Sequence, residues 1–140
     1  MNRLVAISNR VALPGKRGSA QGGLATGLLA AMRQEGGLWF GWNGRVADRA
    51  RDQADTITED AISYATTPLT RREFEDYYLG FSNSMLWPLC HSRLNLLRYS
   101  QPQYQAYLGV NQRFVRLLQP LLKHDDLIWV HDYHFMPFGS

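Results

Sequence analysis

Residues 4–10 read LVAISNR, an aliphatic run that ends in three polar residues. The apolar part, residues 4–7, is too short for a helix and is typical of a buried strand. Residues 11–21 contain a proline and two glycines, which favour a loop, and residues 22–32 read GGLATGLLAAM, which predicts a helix. Gly36-Gly37 should end that helix, because glycine adopts the left-handed conformation of a C-terminal cap. Strand, loop and helix in this order predict the opening of an α/β domain.

The next part of the chain predicts two further strands. Residues 38–42 read LWFGW and predict a short strand that ends at an Asn43-Gly44 turn. Residues 45–60 are polar, with charges of both signs, and predict an exposed loop or a weak hairpin. Residues 61–66 alternate enough to predict a strand.

Two helices and a last strand are predicted in the second half. Thr70 and Glu73 have the spacing of a capping box, so a helix should begin there, and Pro88 should disrupt it. Pro102 suits the start of another helix, whose apolar residues recur at helical spacing. Residues 127–130 read LIWV and predict a buried strand. Alternating strands and helices predict an α/β fold with a mostly parallel sheet.

Composition is that of one soluble globular domain. The chain has 140 residues, of which 45% are hydrophobic and 19% charged, and a net charge of +3 that is scattered along the sequence. Without a basic run interleaved with aromatics, we expect no nucleic-acid partner. No stretch approaches the ~18 apolar residues of a membrane helix, so no membrane partner is expected. Cys90 is the single cysteine, and no signal peptide is evident, so a cytoplasmic location is expected.

Three segments fall where open α/β sheets bind ligands, beyond the carboxyl ends of strands or at a helix start: residues 8–10, 22–23 and 131–134. Arg10 follows the first strand and offers a guanidinium fork to a phosphate. Gly22-Gly23 opens a helix and lets backbone N–H groups approach an anion. Asp132 follows the last strand and could accept hydrogen bonds from sugar hydroxyls.

Each feature has a simpler interpretation. Arg10 could be an ordinary surface or ion-pair residue, and Gly22-Gly23 could be only a turn. His131 and His134 suggest a metal site, but a third ligand at fitting spacing is missing, so no metal and no cofactor is predicted. The 4 tryptophans and 7 tyrosines suit either carbohydrate stacking or core packing.

Taken together and in order, these segments resemble the trehalose-6-phosphate synthase family, retaining glycosyltransferases with two Rossmann domains. The resemblance rests on SNR at residues 8–10, GGL at 22–24, GGLWFGW at 36–42, the segment YYLGFSNSMLWP at 77–88, and DLIWVHDYH at 126–134. It implies the amino-terminal half of the GT-B fold. It also implies transfer of glucose from UDP-glucose to glucose 6-phosphate, which gives trehalose 6-phosphate and UDP.

The resemblance also implies roles for individual residues on the acceptor side. Arg10 and Tyr78 match the residues that bind the acceptor phosphate. Trp87 matches a tryptophan that lines the acceptor pocket, and Trp42 matches a further acceptor-side aromatic. Asp132 matches the catalytic aspartate at the reaction centre, which contacts the acceptor sugar.

On the donor side, Gly22 and Gly23 match the loop that approaches UDP-glucose. Family members are several times longer, so residues 1–140 are expected to be a truncated acceptor-side Rossmann-like domain without the carboxyl-terminal nucleotide-sugar domain. Such a chain should be inactive alone, or active only with a complementing partner; the full-length family member could form a homo-oligomer. Three alternatives remain: a non-catalytic sugar-phosphate-binding or regulatory fragment, an unstable remnant, and a nucleotide-binding α/β protein unrelated to sugars.

Overall fold

The computed structural model describes residues 2–15 and 23–140, and a single five-stranded sheet runs through that part of the chain. Its strands are β1 (Leu4–Arg10), β2 (Gly37–Ala47), β3 (Asp55–Glu59), β4 (Ile62–Thr70) and β5 (Leu127–Val130). They lie in the order β3-β4-β2-β1-β5. All neighbouring pairs are parallel except β3 and β4. The predicted α/β fold with a mostly parallel sheet is confirmed.

One sequence prediction about the outer part of the sheet is wrong, and another, an exposed loop or weak hairpin at 45–60, is confirmed in part. The strand predicted to end at an Asn43-Gly44 turn continues to Ala47, because the pairing of β2 with β4 shifts register between Trp42 and Val46 and then resumes. Gly44 has φ +81°, a conformation that lets the strand bulge instead of turning back. Of the loop or hairpin predicted at 45–60, residues 55–59 form β3, the outer strand of a hairpin with β4.

Helices cover both faces of this sheet. On one face lies α1 (Gly23–Glu35), which ends as predicted: the Gly36 N–H donates to Met32 O (2.8 Å), and Gly36 has φ +74°. On the other face lie a helical segment at 71–90 and α4 (Gln101–Leu118). Strand residues alternate between the two layers, so that Val5 packs toward α4 and Ala6 toward α1.

The segment 71–90 changes its winding twice. It begins with the turn α2 (Arg71–Glu73), continues as a π-helix, π1 (Phe74–Leu86), and ends as α3 (Trp87–Cys90). The predicted capping box is confirmed: the Thr70 N–H donates to Glu73 Oε2 (2.8 Å), and the Glu73 N–H donates to Thr70 Oγ1 (3.2 Å). Pro88 was predicted to disrupt this helix, and next to it the winding changes from π1 to α3, which ends at Cys90.

Two bidentate ion pairs join distant parts of the chain. Arg113 of α4 donates to both carboxylate oxygens of Glu73 (2.8 and 2.7 Å), which fixes α4 to the start of the segment 71–90. Arg3 donates to both oxygens of Asp126 (2.8 and 2.6 Å), which fixes the approach to β5 beside β1.

Within the residues described, no helix is long and apolar enough to cross a membrane.

Candidate functional site

A cleft of about 290 Å³ opens where β1 and β5 end. It brings together four of the residues predicted from the sequence: Arg10, Trp42, Tyr78 and Asp132. The remaining lining residues are Ser8, Asn9, Leu24, Ala25, Leu28, Asn83, Tyr133 and His134. The cleft is therefore lined by residues from β1 and β2, from α1, from π1 and from the segment that follows β5.

A β-bulge at the end of β1 brings three consecutive residues, Ser8 to Arg10, to the lining of this cleft. Ser8 pairs with Gly41 and Arg10 pairs with Trp42, so Asn9 is an extra residue opposite β2. Consecutive residues of a regular strand face opposite sides of the sheet, whereas a bulge re-aims a side chain.

Within residues 2–15 and 23–140, no carboxylate forms an ion pair with Arg10. Its guanidinium carbon lies 5.3 Å from the centre of the Trp42 ring, a cation–π contact. A Cβ at Gly44 would overlap the guanidinium, so the group lies directly against the backbone there. Its Nε is buried and has no hydrogen-bond partner among the described residues. A buried, unpaired guanidinium donor beside an open cleft fits an anionic ligand.

The winding of π1 places Tyr78 and Asn83 on the same side of the helix. A π-helix closes each turn with a bond between residues five apart, as Trp87 N–H to Ser82 O shows at its end. Tyr78 and Asn83 are five residues apart, and both line the cleft. The Tyr78 ring contacts those of Trp42 and His134, at centroid distances of 5.3 and 6.2 Å.

Asp132 has a strained backbone, with φ 72° and ψ 172°. This region is populated almost only by glycine, and a residue held there costs about 1–3 kcal/mol. Its exposed carboxylate accepts a hydrogen bond from the Tyr133 N–H (2.8 Å). Two side chains of α4 fix the residues that follow: Tyr107 donates to Tyr133 O (2.7 Å), and Asn111 donates to His134 O (3.0 Å). The packing thus holds an acidic oxygen at the cleft in spite of the strain.

His134 supplies a neutral imidazole to the cleft. Burial lowers the pKa of His134 from 6.5 to about 4, although the nearby Asp132 carboxylate opposes that shift. Its Nδ1 is buried without a hydrogen-bond partner among the described residues. Burial also lowers the pKa of His131, and no group of three possible metal ligands occurs among the described residues.

The other predicted residues are placed differently. Trp87 lies outside the cleft lining and stacks on His91 with a centroid distance of 4.3 Å, so its role on the acceptor side stays a prediction. Gly22 lies outside the described residues. Gly23 begins α1, whose Leu24 and Ala25 line the cleft, and the first turn of any helix has unpaired N–H groups. Asn9 and Asn83 had no role predicted from the sequence, and His134 was considered only as a metal ligand.

Comparison with known proteins gives a consistent result. Residues 7–140 match the model of glycosyltransferase family 20. A trehalose-6-phosphate synthase of Salmonella arizonae is 45% identical over 140 residues, which is 100% of this chain and 29% of that protein. The chain thus spans under a third of the length of this curated relative.

Two solved structures are also similar. An alpha,alpha-trehalose-phosphate synthase (UDP-forming) from Burkholderia xenovorans, in complex with glucose-6-phosphate, matches with a TM-score of 0.91 and 44% identity. That match covers 98% of this chain and 30% of the other. A structure from E. coli bound with UDP-2-fluoro glucose matches with a TM-score of 0.85 and 42% identity, over 98% of this chain and 29% of the other.

Proposed function

The chain belongs to glycosyltransferase family 20, and we propose that its cleft is the acceptor side of a trehalose-6-phosphate synthase active site, where glucose 6-phosphate binds. One observation carries the proposal: the Arg10 Nε is buried without a hydrogen-bond partner among the described residues, and Arg10 lies in the same cleft as Tyr78 and Asp132. The relative from Burkholderia xenovorans, solved with glucose-6-phosphate, supports it.

The cleft residues suit the parts of a sugar phosphate. The guanidinium of Arg10 and the phenol of Tyr78 are donors for the phosphate oxygens. The Asp132 carboxylate, on the segment after β5, is an acceptor for sugar hydroxyls. In the proposed reaction, Asp132 orients the acceptor hydroxyl, whose oxygen bonds to the anomeric carbon of the donor glucose. The bond from that carbon to UDP breaks, and the hydroxyl proton passes to the departing UDP.

The charge of the cleft limits what these residues can do for the donor. Arg10 and Asp132 are its only charged lining residues in the described part of the chain, since the low pKa of His134 keeps that ring neutral near pH 7. The developing charge on a departing UDP needs cations of its own, and such electrostatic stabilisation is typically the largest catalytic contribution. We therefore propose that residues 1–140 bind the acceptor and that glucose transfer needs further cationic residues, such as a longer relative can supply.

Calorimetric titration of the chain with glucose 6-phosphate tests this function. Arg10→Ala should weaken binding at least about tenfold, because a charge-assisted hydrogen bond contributes about 1.5–3 kcal/mol. Arg45→Ala is the matched control, because Arg45 is exposed and does not line the cleft. This variant should bind glucose 6-phosphate with the affinity of the wild type. Equal affinities for wild type and Arg10→Ala would show that the phosphate site is misassigned.

Because Arg10 is the single cation among the described residues that line the cleft, a second function is also favoured, that of a sugar-phosphate-binding or regulatory fragment. Measuring UDP release from UDP-glucose in the presence of glucose 6-phosphate separates the two. Binding of glucose 6-phosphate without UDP release favours the binding fragment, and release by the chain alone would contradict the need for further cations. Binding of UDP or ATP without binding of glucose 6-phosphate would overturn both functions.

A further inference from the structure

We propose that Asn9 donates a hydrogen bond from its side-chain amide to the phosphate group that Arg10 binds, and that Tyr77 is the positioning residue that holds this amide in place. The inference rests on the proposed function, since it adds a donor to the same acceptor site. Neither residue was assigned a role from the sequence.

Tyr77 is buried behind the cleft. Its side chain is fully inaccessible to solvent, and its hydroxyl donates to Asn9 Oδ1 at 2.7 Å, across 68 positions of sequence. The ring stacks on Tyr107 with a centroid distance of 6.0 Å. Burial raises the pKa of Tyr77 well above 10.0, so the phenol keeps its proton and acts as the donor of this bond.

This bond determines which end of the Asn9 amide faces the cleft. Asn9 Oδ1 is the acceptor that the described residues offer to the Tyr77 hydroxyl. Rotating the amide would direct the phenol proton at an NH₂ group and leave a buried donor unpaired, which is costly. The oxygen therefore faces the interior, and the Nδ2 group, which makes no hydrogen bond to a described residue, is left for a ligand.

The bulge at the end of β1 explains why this donor can act together with Arg10. Asn9 is the inserted residue between the Ser8–Gly41 and Arg10–Trp42 pairs, and both it and Arg10 line the cleft. A neutral NH₂ group beside a guanidinium gives the cleft two adjacent donors. Adjacent donors suit the oxygens of a phosphate, which accept several hydrogen bonds, more than a single hydroxyl group.

A double-mutant cycle tests the inference, with the dissociation constant of glucose 6-phosphate and the melting temperature as readouts. Asn9→Ala should raise the dissociation constant about tenfold or more, as expected for a lost hydrogen bond to a charged group. Tyr77→Phe keeps the buried ring and should raise it less, since the amide remains but can rotate. In the Tyr77→Phe background, Asn9→Ala should still weaken binding. If it leaves the dissociation constant unchanged there, Asn9 is only the acceptor for Tyr77, and the inference is wrong.

Asn9→Asp provides an independent variant, which keeps the acceptor for Tyr77 and replaces the NH₂ group by a charged oxygen. The melting temperature should stay close to that of the wild type, while the affinity for glucose 6-phosphate should fall by more than in Asn9→Ala. Unchanged affinity would overturn the inference. Parallel titrations with UDP-glucose show whether the donor phosphates use Asn9 instead, which would also overturn it. A wild-type chain that does not bind glucose 6-phosphate would refute the proposed function itself.

Discussion

The depressed pKa of His134 predicts a loss of stability in mild acid. The unfolded chain should protonate this histidine near its ordinary pKa of 6.5, whereas burial holds the folded value at about 4. Above pH 6.5 both states are neutral, and His134 contributes no pH dependence. As pH falls below 6.5 the unfolded state binds the proton first, so the free energy of unfolding decreases until pH reaches about 4. At ~1.4 kcal/mol per pH unit, the decrease amounts to roughly 3 kcal/mol.

Urea unfolding at several values between pH 7.5 and pH 4.5 measures this decrease, and His134→Phe is the comparison. Phenylalanine keeps an aromatic ring between Tyr78 and Tyr133, and no hydrogen bond to Nδ1 is lost. The variant should match or exceed the wild type near pH 7 and should lose less stability toward pH 4.5. Burial lowers the pKa of His131 in both proteins and reduces the stability of both in acid. The difference between the two curves therefore isolates His134. Parallel curves below pH 6.5 would refute the reasoning.

Three further predictions concern the cleft and the edge of the sheet. Gly44→Ala should weaken glucose 6-phosphate binding in a calorimetric titration and lower stability by about 1–3 kcal/mol, because the new Cβ overlaps the Arg10 guanidinium and φ is +81°. Asp132→Gly should be about 1–3 kcal/mol more stable than Asp132→Ala in urea unfolding, since only glycine relieves the backbone strain, while both lose the carboxylate. Arg3→Met should lower stability at pH 7 by about 1 kcal/mol, because Arg3 lowers the pKa of Asp126. The difference from wild type should shrink as pH falls through that lowered pKa, where Asp126 becomes protonated in both proteins.

Matched control variants separate the effects predicted for Gly44→Ala and Arg3→Met from nonspecific destabilisation of the fold. Gly109→Ala is the control for Gly44→Ala, because a Cβ at Gly109 meets no atom within 4 Å; it should leave binding unchanged. An equal loss of affinity in both would show that the Arg10 contact is not responsible. Arg72→Met is the control for Arg3→Met, since Arg72 is exposed and its pair with Asp76 is a loose 3.5 Å, so stability should change little. A constant difference at all pH values would contradict the Asp126 explanation.

The central strands and long helices could be predicted from the sequence because burial produces a periodic pattern. Residues 4–7 and 38–42 are aliphatic and aromatic on both faces, since helices cover both sides of the sheet. At the edges of the sheet the pattern fails: residues 127–130 were predicted to be a buried strand and do form β5, but all four are exposed. Every residue of β3 is exposed, so nothing selects apolar side chains on one face, and the sequence DTITE resembles a polar loop. Thr70 and Glu73 were predictable for a local reason, because a capping box depends only on residues three apart.

Arg10 and Asp132 could be placed at the cleft from chain order alone, whereas Trp42 and Tyr78 were predicted only from the family resemblance. Arg10 and Asp132 directly follow strands, and the carboxyl ends of parallel strands lie at the same edge of a sheet. Asn83 could not be found in this way. At the spacing of an α-helix, residues five apart lie on different faces, and only the π winding of 74–86 brings Asn83 beside Tyr78. The polar residues among the aromatics of that segment were the available signal.

Asn9 could not be predicted for a different reason, which also affects how tightly the cleft should bind its ligand. Spacing along a regular strand places residues 9 and 10 on opposite faces, and the bulge that unites them depends on pairing with β2. Behind the cleft, buried groups from distant elements fix its polar walls: Trp39 donates to Ser8 Oγ (2.8 Å), and Tyr77 donates to Asn9. Arg10 is the exception, since its guanidinium contacts the Trp42 ring but its buried Nε has no hydrogen-bond partner among the described residues. Because the walls are already ordered, binding need not immobilise them, and the free energy of the Arg10–anion contact should appear in the affinity with little loss to ordering.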